Sequence, residues 1–226
     1  MEKMMRAKKV VFLTLCICML GFTACGEKSS GNTSGNKNSS SNVNDSSGTS
    51  VSINKDGSIS SKIVEDFGES YYDVSTLKTM IETSISDYKA VNASAQVNLK
   101  KCDASKGVTN VQIEFGDYEA YAGFNGEYFF AGTIQEANQA GFDLDVTLNA
   151  VSNADGRTSV SKADLMGMGS NHIVIFDAAR VDEEEVETVR VNCFDEILYV
   201  SEGVSAVDSK SADVALAGGY GIIVFK

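Results

Sequence analysis

The chain has no proline, no tryptophan and a single histidine, His172, among its 226 residues. The first absence excludes polyproline recognition segments, and the second excludes any carbohydrate or peptide platform built on indole rings. One imidazole rules out every two-histidine metal site, and a Ser-His-Asp arrangement would have to run through His172. Basic residues are also scarce: 19 Lys and Arg stand against 31 Asp and Glu, a formal charge of −12. A chain this acidic is repelled by nucleic acid phosphates and by anionic headgroups, so no nucleic acid partner is expected.

What is present is unevenly distributed. Residues 1–9 hold Lys3, Arg6, Lys8 and Lys9, and residues 10–24, VVFLTLCICMLGFTA, form one apolar run ending in small side chains. That run is shorter than the ~20 residues a spanning helix needs and is followed by a polar tract, the pattern of a signal peptide. The segment Phe22-Thr23-Ala24-Cys25-Gly26 resembles the lipobox of bacterial lipoproteins, with Phe22 where that family usually has leucine. The resemblance implies cleavage before Cys25 and transfer of a diacylglyceryl group to its thiol, chemistry that needs a thiolate nucleophile. Two acyl chains suffice for stable anchoring, where a single myristoyl chain is marginal. Removing residues 1–24 takes away a surplus of +3 and leaves −15 on the processed chain. Cys16 and Cys18 belong to the discarded segment and read as small apolar residues.

The expected organisation is a signal peptide over 1–24, a tether over 25–61 and one extracytoplasmic domain over 62–226. The tether is Ser-, Gly- and Asn-rich, as in SSGNTSGNKNSSSNVNDSSGTS, and has too little apolar surface to offset the entropy of ordering. As a flexible coil of about 35 residues it reaches roughly 30 to 35 Å, enough to lift the domain off the headgroups. The remaining residues, about 165, are enough to bury a core without disulfides or metals.

Within the domain, KIVEDF (62–67) reads as a short extended stretch. Asp73 or Ser75 caps an amphipathic helix whose face carries Leu77, Met80, Ile81, Ile85 and Tyr88, ending near Ala90. Ala95, Val97 and Leu99, then Val111, Ile113 and Phe115, alternate with polar residues and predict a hairpin turning through Asp103 to Gly107. Asp117 opens a short helix with Tyr118, Tyr121 and Phe124 on one face, closed by Asn125-Gly126. Tyr128–Thr133 suits a strand and Ile134–Ala140 a helical turn or two. The alternation Phe142, Leu144, Val146, Leu148 suits a further strand, as do His172–Phe176, Val189–Phe194, Ile197–Val200 and Tyr220–Phe225. The fold class expected is α+β: a mainly antiparallel sheet with an early amphipathic helix packed on it.

The segments KIVEDFGESYYDVSTLKTMIE, DEILYVSEGV and YGIIVFK resemble a set of exported lipoproteins of clostridia-like Gram-positive bacteria, over most of residues 62–226. That resemblance implies a shared fold and the same address, and it carries no activity or catalytic residue.

No reactive constellation stands out. His172, in SNHIVIF, is most simply a strand-edge residue. Cys102 and Cys193 can pair in an oxidising compartment or pack as thiols, and both readings stay open. The run Asp182, Glu183, Glu184, Glu185, Glu187 can attract calcium, though consecutive carboxylates usually point apart into water. Asn153-Ala154-Asp155-Gly156 resembles part of a calcium loop, but Val151 stands where the first acidic ligand is required, so a turn is the simpler account. Gly167-Met168-Gly169 and Gly218-Gly219-Tyr220-Gly221 lack a phosphate-binding lysine and read as turns. Tyr71, Tyr72, Tyr118 and Tyr121 can stack on a sugar or peptide, although the last two also fit a core face.

No cofactor and no metal is therefore expected. The expected function is noncatalytic binding of an envelope protein or extracellular ligand, by a domain held at the membrane through lipid on Cys25. Two alternatives are a carboxylate-based hydrolase acting on glycan and a structural accessory subunit of an envelope complex. Replacing the lipidated residue, Cys25→Ser, is expected to move the protein from the membrane fraction to the soluble or secreted one with its domain still folded. Fractionation with immunoblotting checks this, and undiminished membrane retention would exclude lipid as the anchor.

Overall fold

A computed structural model of the chain describes residues 48–69, 72–152, 158–177, 188–215 and 220–226. These belong to one compact unit that starts at Gly48. The class is α+β, and its strands form two sheets, not one.

The first sheet contains β1 (Ser50–Ile53), β2 (Ile59–Asp66), β3 (Val97–Ser105), β4 (Val108–Phe115), β9 (Val189–Asn192), β11 (Val204–Ala206) and β12 (Ser211–Val214). Across it the order is β11-β12-β9-β1-β2-β4-β3. The second sheet contains β5 (Phe129–Thr133), β6 (Leu148–Ala150), β7 (Ser159–Val160), β8 (His172–Asp177), β10 (Ile197–Val200) and β13 (Tyr220–Phe225), in the order β5-β8-β13-β10-β6-β7. All the pairings are antiparallel except β1 with β9, which is parallel. Four helices complete the described fold: α1 (Val74–Val91), α2 (Tyr118–Asn125), α3 (Ile134–Gln139) and α4 (Lys162–Gly167). None of them is long and apolar enough to cross a membrane.

Local chemistry explains the element ends. Asp73 accepts the Thr76 amide at 2.7 Å to start α1, and Asp117 accepts the Ala120 amide at 2.7 Å to start α2. Gly126 closes α2 in the left-handed region at φ 65°, which costs glycine nothing. The turn between β3 and β4 is the pair Lys106-Gly107, with φ of 54° and 76°, the twist that matches two right-handed strands. Thr133 and Glu136 form a reciprocal capping box at α3.

The sheets bury their residues differently. In the first, one face is apolar: Val204, Val214, Val191, Val51, Ile53, Ile59, Val111, Ile113, Phe115 and Val97 are all buried. The opposite face is a polar row in which Ser211 donates to Asn192 at 3.1 Å and Asn192 donates to Ser52 at 3.1 Å, while Arg190 forks onto Asp213. In the second sheet β8 and β13 are covered on both sides, so their apolar residues run consecutively: Ile173, Val174 and Ile175, then Ile222 to Phe225. One of its faces joins Ile134, Ala137, Leu144 and Leu165 in a core cluster with Phe130, Ile173, Ile175, Ile222 and Val224.

Three expectations are corrected. The boundary at 61/62 is too late, because β1 lies wholly inside the segment read as tether and β2 begins at Ile59. β1 presents Ser50 and Ser52 outward and only Val51 and Ile53 inward, so a strand in the middle of a sheet has the composition of a linker. The strand expected from Phe142 to Leu148 is reduced to β6, which starts at Leu148. Before it, Phe142 donates its amide to Ala137 at the end of α3 and Asp143 accepts the Asp145 amide at 2.9 Å, which holds the chain in a turn. The expected strand Val189–Phe194 also ends earlier, at Asn192.

A chain trimmed to 62–226 loses β1 and the start of β2, and with them the buried side chains of Val51, Ile53 and Ile59. At ~1.5–3 kcal/mol each, that burial is comparable with a typical domain's whole stability of ~5–15 kcal/mol. Residues 48–226 are expected to unfold cooperatively in urea while 62–226 does not, as followed by circular dichroism. An equal transition midpoint for both would show that β1 is dispensable.

Candidate functional site

The second sheet and α2 carry a chain of contacting rings. Phe115 of β4 meets Tyr121 of α2 at 5.2 Å, Tyr121 meets Phe129 of β5 at 4.6 Å, and Phe129 meets Phe176 of β8 at 5.2 Å. A second chain starts on the other side of α2: Tyr118 to Phe130 at 4.8 Å, Phe130 to Phe142 at 4.7 Å, Phe142 to Tyr128 at 5.2 Å and Tyr128 to Tyr220 at 5.4 Å. The first chain is internal. The second surfaces: Tyr128 is 44% exposed and Tyr220 52% exposed, while Phe142 is half-buried beneath them. Most large apolar side chains described here are covered, so this tyrosine ledge is an open aromatic surface on a rigid base.

Tyr128 and Phe142, though not Tyr220, lie in a stretch of sequence that carries one sign of charge. From Gly107 to Ser152 there is no lysine or arginine, whereas Glu114, Asp117, Glu119, Glu127, Glu136, Asp143 and Asp145 all lie there. Glu127 precedes Tyr128, and Asp143 follows Phe142. Burial first, then the charges of Glu119, Asp117 and Glu136, raises the Tyr118 hydroxyl above its ordinary range. The Glu136 carboxyl is held low by the Thr133 amide and hydroxyl and, to a smaller extent, by His172. It is therefore an anion at neutral pH.

Of the residues singled out from sequence, Tyr220, read there as part of a glycine-rich turn, opens β13 and is a ledge ring, Tyr118 begins the ring chain that leads to it, and the others fall elsewhere. His172 begins β8, stacked on Phe225 at 5.3 Å and edge-on to Phe194 at 4.8 Å, and its Nδ1 is buried without a hydrogen-bond partner. Neither a carboxylate nor a hydroxyl orients that nitrogen, as a catalytic base would require. Tyr121 is buried and Tyr118 half-buried, and Tyr72 stacks on Phe67 at 4.7 Å. Gly167 ends α4, and Tyr220 and Gly221 open β13. Cys25, Tyr71, the Asn153 to Gly156 stretch, the acidic run Asp182 to Glu187, and Gly218 and Gly219 lie outside the described residues.

Cys102 in β3 and Cys193 just after β9 are not joined to each other. Four strand spacings separate β9 from β3, roughly 19 Å. A disulfide needs Cα atoms about 4.4–6.8 Å apart. Burial pushes the Cys193 thiol up to about 12.

A shallow depression of about 260 Å³ lies beside Glu196 and Asp208, with Val151, Ser152, Val207 and Ser209 in its wall. Both carboxylates are engaged: Lys226 binds Glu196, and Asp208 accepts the Lys210 amide at 2.7 Å. That amide chiefly holds Asp208 below the usual carboxylate range, the reverse of what a glycosidase general acid needs. Among the described residues, no group of three or more His, Cys, Asp or Glu side chains is placed to hold a metal ion. Sequence reasoning missed the ledge because Tyr128, Phe142 and Tyr220 approach from three separate segments. Their one local signal is an aromatic residue at a strand end or beside a turn.

No protein-family model matches the chain, and no curated protein or solved structure matches it.

The raised Cys193 thiol stabilises the fold fully below its ordinary value of 9.0, and that contribution is lost as pH rises through about 12. At pH near 8, iodoacetamide is therefore expected to label half-buried Cys102 well before Cys193, with Cys193 reacting once urea unfolds the chain. Peptide-mapped mass spectrometry reads the order, and equal labelling of the native protein would exclude a sealed Cys193.

Proposed function

We propose that the chain is a lipid-anchored extracytoplasmic domain that binds a partner in the cell envelope and catalyses no reaction. The observation that carries this reading is the open Tyr128 and Tyr220 ledge, braced from below by Phe142 and Phe130. Rigid, exposed aromatic rings lose little conformational entropy on binding, which makes them favourable contact residues. The address rests on the sequence: a positive start, a fifteen-residue apolar run and Cys25 in a lipobox-like setting. In this reading the polar residues after Cys25 form the tether, which ends at β1. α1 acts as a cover on the first sheet along β3, with Leu77, Ile81 and Ile85 facing inward.

The glycan hydrolase draws less support, because the carboxylates beside the depression are committed to Lys226 and to backbone amides. No particular contact favours a structural accessory subunit over a binding module.

A photo-crosslinking residue in place of Tyr128, in native cells, is expected to give a discrete adduct that the same residue at exposed Thr83 of α1 does not. Mass spectrometry of the adduct checks this. Adducts with lipid alone, together with glycan cleavage by the purified protein, would overturn the proposal.

A further inference from the structure

We propose that Tyr128 and Tyr220 form an oxidative crosslinking site, at which a peroxidase consuming hydrogen peroxide joins the two rings through a carbon–carbon bond to give dityrosine. The inference is independent of the binding reading above, because it requires only the two rings and the oxidant.

The geometry of the pair is already close to that of the product. The ring centroids are 5.4 Å apart and the planes are inclined by 46°, so the rings touch and are tilted like the halves of a twisted biphenyl. Both rings are open to solvent, at 44% and 52% exposure, and a one-electron oxidant reaches each of them. The second sheet holds their backbones in place. Tyr220 is opposite Asp177, and Phe129, the residue after Tyr128, is opposite Phe176, so the two tyrosines flank the end of β8. Two strand spacings separate them, roughly 10 Å, and the rings close that gap. Phe142 supports Tyr128 from below at 5.2 Å.

Competing sites are few. Among the described residues this is the one ring contact between two tyrosines. Tyr72, Tyr88 and Tyr118 are half-buried, and Tyr121 and Tyr199 are buried. The chain has no tryptophan to act as the more easily oxidised ring. Cys193 is buried, and Cys102 lies in β3 of the other sheet.

The chemistry balances without a further reactant. Each phenol gives up one electron and its hydroxyl proton, and one hydrogen peroxide takes up both pairs and leaves as two waters. The two phenoxyl radicals couple at ring carbons ortho to oxygen, and the hydrogen on each coupling carbon moves back to its oxygen, which restores two phenols. The product has lost two hydrogens. Coupling within one molecule is favoured because the fold has already brought the partners together. The new bond ties β5 to β13 across β8 and, like a disulfide between distant positions, restricts the unfolded chain.

The test treats the full chain, dilute in neutral detergent, with peroxidase and limiting hydrogen peroxide. Peptide-mapped mass spectrometry is expected to find Tyr128 joined to Tyr220 in the monomer, two hydrogens lighter than the separate peptides, with the blue fluorescence of dityrosine. Sulfoxide at half-exposed Met166 adds mass instead and is told apart. Tyr128→Phe and Tyr220→Phe, which keep the rings and the packing, are each expected to abolish the product, and Tyr118→Phe to leave its yield unchanged. The crosslinked protein is expected to unfold at higher urea than the untreated one. An equal yield from the chain unfolded in urea, or crosslinks only between copies, would overturn the inference. So would the absence of dityrosine from the folded chain under conditions that couple free N-acetyltyrosine amide in a parallel tube.

Discussion

The contact on which the architecture depends is the passage of rings through α2. Phe115 belongs to the first sheet, and Phe129 and Phe176 belong to the second; Tyr121 touches both Phe115 and Phe129. Offset and edge-to-face contacts of this kind add about 0.5–1.5 kcal/mol per pair beyond burial alone. Phe124, from the same helix, extends the contact to Tyr88 of α1 at 5.5 Å. A helix of eight residues thus joins both sheets to α1, and its caps at Asp117 and Gly126 determine where the rings point. Tyr121 also donates to Glu127, so the buried phenol keeps a partner just beyond the helix end.

Because α2 is held on its inner side, its outer side is a fixed platform. Tyr118 sits there with Glu119, one helical residue from the Asp117 cap, and contacts Phe130 beneath. Phe130 belongs to the core cluster with Ile134, Leu144 and Ile173, so a surface ring is supported by fully buried side chains. The ledge inherits this rigidity through Phe142, which packs against that cluster and carries Tyr128 above it.

How much of this the sequence discloses depends on how local the cause is. HIVIF and GIIVF are legible as strands because β8 and β13 are buried on both faces, which demands consecutive apolar residues. α2 is legible because its start and stop signals are single residues, Asp117 and Gly126. β1 is not, since its parallel partner β9 is remote in the chain and two of its four side chains are serines facing a polar row. Phe142 to Leu148 misleads for a related reason: Leu144 and Leu148 are buried, but the turn at Asp143 breaks the ladder that their alternation suggests. The ledge is a long-range object. Each aromatic is visible in the sequence, but their meeting requires β5, β13 and the segment after α3 to be in place.

A stretch of sequence with charge of one sign, residues 107–152, carries a cost, because like charges repel and oppose compaction. Part of that cost is offset locally, since Asp117 and Glu136 sit at helix starts where a carboxylate favours the fold. Asp143 does similar work in its turn. Two exposed tyrosines in ring contact invite self-association unless a partner covers them.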